Sequence, residues 1–103
     1  MPNTTEFETA LATWLAAAQQ VITDHDARYD FDFGTNLVLE RNRKYIRVVR
    51  ADRSSSRSAH CFIDKTDGNV YKPASWKGPI KNFPRGNIFT TRIGVGPYGA
   101  DTY

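Results

Sequence analysis

Ser58-Ala59-His60-Cys61-Phe62-Ile63, then Asp67-Gly68, then Asn69-Val70-Tyr71-Lys72 reads as a strand, a hairpin turn and a returning strand. Asp-Gly is a strong hairpin signal because glycine accepts the positive φ that tight turns require. Upstream, Tyr45-Ile46-Arg47-Val48-Val49-Arg50 is β-branched and aromatic and predicts another strand. An exposed, mobile connection from Asp52 to Ser56 joins the two. Arg41-Asn42-Arg43-Lys44 is polar enough for a loop or bend, Leu37-Val38-Leu39 pairs next, and Gly34-Thr35-Asn36 forms a turn. Still earlier, Tyr29, Phe31 and Phe33 alternate with Asp30 and Asp32, the pattern of a short strand with one buried face.

Ahead of these strands the period changes. Phe7, Leu11, Trp14, Ala18 and Val21 recur at three- and four-residue steps, and Leu15 and Ile22 widen the stripe. That spacing predicts one amphipathic helix over roughly residues 5–25. Thr5 and Glu8 have the spacing of a capping box. Such a stripe belongs to a core, although a partner-binding face has the same pattern. After Pro73, eight further glycines and prolines exclude long regular elements. Trp76, Ile80, Phe83, Ile88, Phe89, Ile93 and Tyr98 supply enough apolar area for this tail to pack in order. The expected architecture is α+β: an N-terminal amphipathic helix on a small antiparallel meander of three or four strands, closed by an irregular Gly/Pro-rich segment. With 103 residues, 1–103 form a single domain.

Composition narrows the function classes. No apolar run reaches the ~18 residues of a membrane span, and the acidic N-terminus is no secretory signal or transit peptide. A single cysteine, Cys61, closes no internal disulfide, so a reducing cytoplasm is the expected location. The net charge of +3 conceals a polarity. Residues 1–40 carry seven acids and Arg28 as sole base, while residues 41–100 carry thirteen bases and three acids. Such asymmetry suits a polyanionic partner. Alternatively, the acidic helix lies across the basic sheet and neutralises it.

Catalytic patterns fail in turn. His60 and Cys61 are neighbours on a strand, so their side chains point to opposite faces and form no nucleophile–base pair; Cys61 reads as a small core residue. His25 and His60 lack metal-ligand spacing, and Asp24-His25-Asp26 reads as a solvated helix end. Asp30 and Asp32 share a face but have no further catalytic support. Gly94-Val95-Gly96-Pro97-Tyr98-Gly99 matches the letters of a dinucleotide fingerprint without the strand–helix context that makes it bind. The chain is accordingly expected to be non-enzymatic, with no cofactor and no metal.

The binding signal lies between Gly68 and Ala100, which hold five bases and no acid. Lys72, Ser75, Trp76, Lys77, Lys81, Arg85 and Asn87 combine cations, a hydroxyl, an amide and an aromatic plane. Such a mixture suits phosphates and stacked bases. Trp76 reads first as a core residue and second as a stacking plane. Arg41, Arg43, Lys44, Arg47, Arg50, Arg53 and Arg57 make a second basic set, in which at least one arginine borders the core.

Residues 61–88, CFIDKTDGNVYKPASWKGPIKNFPRGNI, resemble a segment of small proteins encoded by tailed bacteriophages. The shared pattern is Asp67-Gly68, Val70-Tyr71-Lys72, Ala74, Trp76-Lys77, Pro79 and Arg85-Gly86-Asn87, and Tyr98 and Gly99 resemble the family's closing segment. The chain departs from it at Asn69 and at Asn82-Phe83-Pro84. The resemblance implies a phage origin, hence the host cytoplasm, and no particular activity. The expected function is a phage-type protein that binds nucleic acid, or another phosphate-bearing ligand, through a basic, aromatic-containing surface. Alternatives are a counter-defence protein that captures a small nucleotide or inhibits a host protein, and a minor virion or assembly protein.

Overall fold

The computed structural model describes residues 4–29, 34–53, 56–81, 83–90, 93–96 and 99. Helix α1 runs Thr4–Arg28, and strands β1 (Asn36–Arg41), β2 (Tyr45–Ala51), β3 (Arg57–Asp64) and β4 (Asn69–Tyr71) follow. Then come β5 (Pro73–Ser75), β6 (Gly78–Pro79) and β7 (Gly86–Asn87). Five strands form an antiparallel sheet in the order β1-β2-β3-β4-β7, and β5 pairs with β6 in a separate hairpin. The α+β class and the meander match the expectation. The tail is more regular than expected: β7 extends the meander to five strands, and Pro73 opens the separate β5–β6 hairpin.

The sheet has two unlike faces because side chains alternate along each strand. Phe7, Leu11, Trp14, Ala18 and Ile22 of α1 bury against Leu37, Ile46, Val48, Cys61, Ile63, Val70, Ile88 and Val95. Val21, counted in the expected stripe, is only half-buried, as the 3.6-residue period carries Ile22 inward instead. The buried Trp14 indole donates Nε1–H to the Ile93 carbonyl at 2.8 Å, which ties the tail to the helix. The expected capping box is overturned. Thr5 lies inside the first turn, and Glu8 accepts both guanidinium Nη groups of Arg41 at 2.8 Å. A two-point bond to a fixed strand outweighs a local cap.

Gln19 makes a second bridge from helix to sheet. Its amide donates to Thr35 O at 3.1 Å and accepts from Leu37 N at 2.8 Å, filling two backbone groups at the start of β1. The helix therefore holds the outer strand at both ends. Tyr29 closes α1 with a backbone bond to His25 O rather than opening a strand; Asp30, Phe31, Asp32 and Phe33 lie outside the described residues. Asp52 and Ser56 are bonded to each other across their connection, while Ser54 and Ser55 lie outside the described residues.

The Asp64–Asn69 turn is heavily bonded. Asp64 accepts Thr66 N and Oγ1, Asp67 accepts Asn69 N, and Gly68 donates to Asp64 O at a φ of 77°. A Cβ on Gly68 would approach Ile88 and Phe89 to 2.8 Å, so bulk and backbone conformation both require glycine. Among the described residues, no helix is long and apolar enough to cross a membrane. Leu11 is almost fully buried in the helix stripe, so Leu11→Ala is expected to cost ~2–5 kcal/mol in urea unfolding. A loss below ~1 kcal/mol would mean that the stripe does not hold the sheet.

Candidate functional site

The face of the sheet turned away from α1 carries a different chemistry. Alternation puts Glu40, Tyr45, Arg47, Val49, Phe62 and Tyr71 there, and the β5–β6 hairpin leans over β3. Register sets Glu40 opposite Arg47 and Arg47 opposite Phe62. Arg47 is the keystone of the cluster. Its Nη1 donates to Glu40 Oε1 at 2.8 Å and its Nε to the Trp76 carbonyl at 2.7 Å. Its Cζ stands 4.5 Å from the Trp76 ring centroid and 5.8 Å from that of Phe62. Arg57, at the start of β3, donates Nη2 to Glu40 Oε2 at 2.5 Å and lies 5.6 Å from the Trp76 centroid. Hydrogen bonds from Arg57 and Arg47 hold the Glu40 carboxyl below the usual carboxylate range. Beside this cluster, Lys44 and Lys81 place their ammonium groups 5.4 and 5.8 Å from the Tyr45 ring.

Of the seven residues singled out by sequence, five belong to this side of the tail. Ser75, Trp76 and Lys77 sit at the tip of the β5–β6 hairpin, where Ser75 Oγ accepts Lys77 N. Lys72 lies at its base, where its carbonyl accepts Ile80 N, and exposed Lys81 follows it. Trp76 is 39% exposed, so the core reading is corrected: the hairpin tip carries the ring outward, and arginines rather than apolar side chains flank it. Arg85 is 8% exposed and sits where the Gly94 backbone crosses, close enough that a Cβ on Gly94 would meet Arg85 backbone at 2.6 Å. It is not part of an exposed cationic surface. Asn87 is fully used within the fold. Its amide donates to Asp67 O and Asn69 Oδ1 and accepts Phe89 N, which staples β7 to the turn before β4.

Glu40 was missed by sequence reasoning, and Arg47 and Arg57 stood only in the broad second basic set. Arg47, 14% exposed in its side chain, is the arginine that borders the buried layer. Their meeting depends on β1–β2–β3 register, which no local pattern encodes; only the placement of Arg47 between core-facing Ile46 and Val48 hinted at it. The acidic helix covers the other face, so it does not mask this cluster; its Glu8 reaches the sheet at Arg41.

His60 and Cys61 do not cooperate. Cys61 packs in the helix-facing core, where burial raises its thiol pKa well above the ordinary value. His60 is skipped in the β2–β3 register, between the pairs Val48–Cys61 and Val49–Ala59, and is fully buried. Its Nε2 lies 3.2 Å from Gly96 O; a carbonyl only accepts, so Nε2 carries the proton and Nδ1 is bare. Nδ1 has no hydrogen-bond partner. Burial, with a smaller contribution from Arg50, lowers the His60 pKa to about 4. Among the described residues, no group of three His, Cys, Asp or Glu side chains converges as metal ligands would. A groove of about 720 Å³ between α1 and residues 88–90 is lined by Thr9, Thr13, Ile88 and Phe89, with Glu6 as its charged member.

A model of a family of unknown function, DUF7717, matches residues 2–95. No curated protein and no solved structure matches the chain.

The His60 environment sets a pH dependence. The unfolded chain takes up a proton near pH 6.5 while the folded one resists until about pH 4, so stability present above pH 6.5 is lost as pH falls through that window. The expected loss is ~1.4 kcal/mol per pH unit within it. Urea midpoints measured from pH 7 to pH 4 should fall for the wild type and fall less for His60→Gln. Equal slopes would show that other groups control the acid limb.

Proposed function

We propose that this chain, which belongs to the family of unknown function DUF7717, binds single-stranded nucleic acid on the sheet face opposite its helix. The observation that carries this reading is Trp76: a large aromatic plane held outward at a hairpin tip, with two guanidinium groups against it. Exposing an indole forgoes burial worth ~1.5–3 kcal/mol or more, so the position calls for a partner that supplies another plane. Bases do so, and they reach such a plane only when unpaired. Tyr45, flanked by Lys44 and Lys81, offers a second aromatic surface with cations beside it. Lys72, Ser75 and Lys77 around Trp76 supply groups suited to phosphate oxygens.

Lys72, Ser75, Trp76, Lys77 and Lys81 are the binding residues retained from the sequence, joined by Tyr45, Arg47 and Arg57; Arg85 and Asn87 are assigned to the fold. The reading implies a non-enzymatic protein acting beside nucleic acid, in keeping with the resemblance to phage proteins. A counter-defence protein that captures one nucleotide would use the same stacking plane with a mononucleotide. A protein that blocks a host enzyme or joins a virion would use the cations against an acidic surface.

Fluorescence anisotropy with labelled single- and double-stranded oligonucleotides over a salt series separates these readings. Binding is expected to favour single strands, with log affinity falling linearly in log salt. Lys77→Ala and Lys81→Ala should each flatten the slope by ~0.7. Trp76→Ala should weaken single-strand binding by ~1–3 kcal/mol while the melting temperature stays close to wild type. Absence of binding at low salt removes nucleic acid, and saturable binding of a mononucleotide alone points to capture.

A further inference from the structure

Arg47 and Arg57 differ in how firmly they are held. Arg47 is mostly buried, bonded to the Trp76 carbonyl and to Glu40, and flanked by two rings. Arg57 has a side chain 47% exposed and is held at its tip by Glu40 Oε2. Glu40 thus spans two guanidinium groups with its two carboxylate oxygens, one on each. The two non-bridging oxygens of a phosphodiester have the same paired-acceptor geometry. A carboxylate beside a stacking plane, accepting from two arginines, occupies the position that a backbone phosphate would take next to a stacked base.

We propose that Glu40 is a built-in stand-in for phosphate: a single-strand phosphodiester displaces it from Arg57, while Arg47 stays in place under Trp76. This inference rests on the nucleic-acid reading above and adds to it a competition within the protein. An exposed ion pair such as Glu40–Arg57 is worth little, so the exchange is reversible and the contact does not lock the site.

The test compares Glu40→Gln with Glu8→Gln, which removes the same charge from the other side of the sheet, on Arg41. The probe is a labelled oligo-dT strand, with inorganic pyrophosphate as competitor, at about 0.1 M salt where distant charges are screened beyond ~10 Å. Glu40→Gln should bind about two- to fivefold more tightly than wild type, with a salt slope close to wild type because Arg57 holds one phosphate in both. Glu8→Gln should leave both unchanged. In an Arg57→Ala background the Glu40→Gln gain should vanish, because the competed group is gone. Equal gains in Glu40→Gln and Glu8→Gln, or a gain that survives Arg57→Ala, would overturn the exchange while leaving nucleic-acid binding intact. If wild type and all variants fail to bind the strand at low salt, the binding reading falls and this inference with it.

Discussion

Leu11, Trp14 and Ala18 pressed against Ile46, Val48, Cys61 and Ile63 are the contact from which the remaining architecture follows. Among the described residues, this five-stranded sheet has one long helix to cover a face, so one side becomes dry and the other stays open to polar and aromatic groups. Because side chains alternate, committing Ile46 and Val48 to the helix commits Arg47 to the other side, and committing Cys61 and Ile63 commits Phe62. The cluster around Trp76 is therefore the reverse face of the core. A one-residue slip in β2 would bury Arg47 and expose Ile46 and Val48, so register and site stand or fall together.

The tail adds a second constraint. Ile93 is held by the Trp14 indole, Gly94 crosses the Arg85 backbone, Val95 enters the core, and Gly96 meets the His60 ring. Two of the glycines lie where another stretch of backbone runs close: a Cβ on Gly94 would meet the Arg85 backbone at 2.6 Å, and one on Gly99 the His60 carbonyl at 2.9 Å. Pro97 and Tyr98 lie outside the described residues.

Much of this was legible in the sequence because it is local. The helix stripe, the Asp67-Gly68 turn and the β-branched strands each repeat with the period of their own element. What was not legible depends on distance along the chain. Glu40, Arg47 and Arg57 are brought together by strand register, which sums many weak side-chain preferences. Trp76 was expected in the core because indoles usually bury; here a two-residue turn lifts the ring away, and guanidinium contacts replace apolar ones. Arg85 read as an exposed cation because it lies in a stretch with five bases and no acid, yet in the fold it is buried where the Gly94 backbone passes it. The Thr5–Glu8 pair had the right spacing for a cap, yet Arg41 offered Glu8 two bonds from a strand that the core already fixes.

Gln19 and the Glu8–Arg41 pair have a consequence for how copies of this chain meet one another. A bare outer strand invites the strand of another molecule to join it, and repeated joining yields fibres. On β1 the amide of Gln19 already occupies Leu37 N and Thr35 O, and at the far end Glu8 holds the Arg41 side chain. The opposite margin, β7, is two residues long. The helix that builds the core thus also takes part of this margin out of reach of a foreign strand.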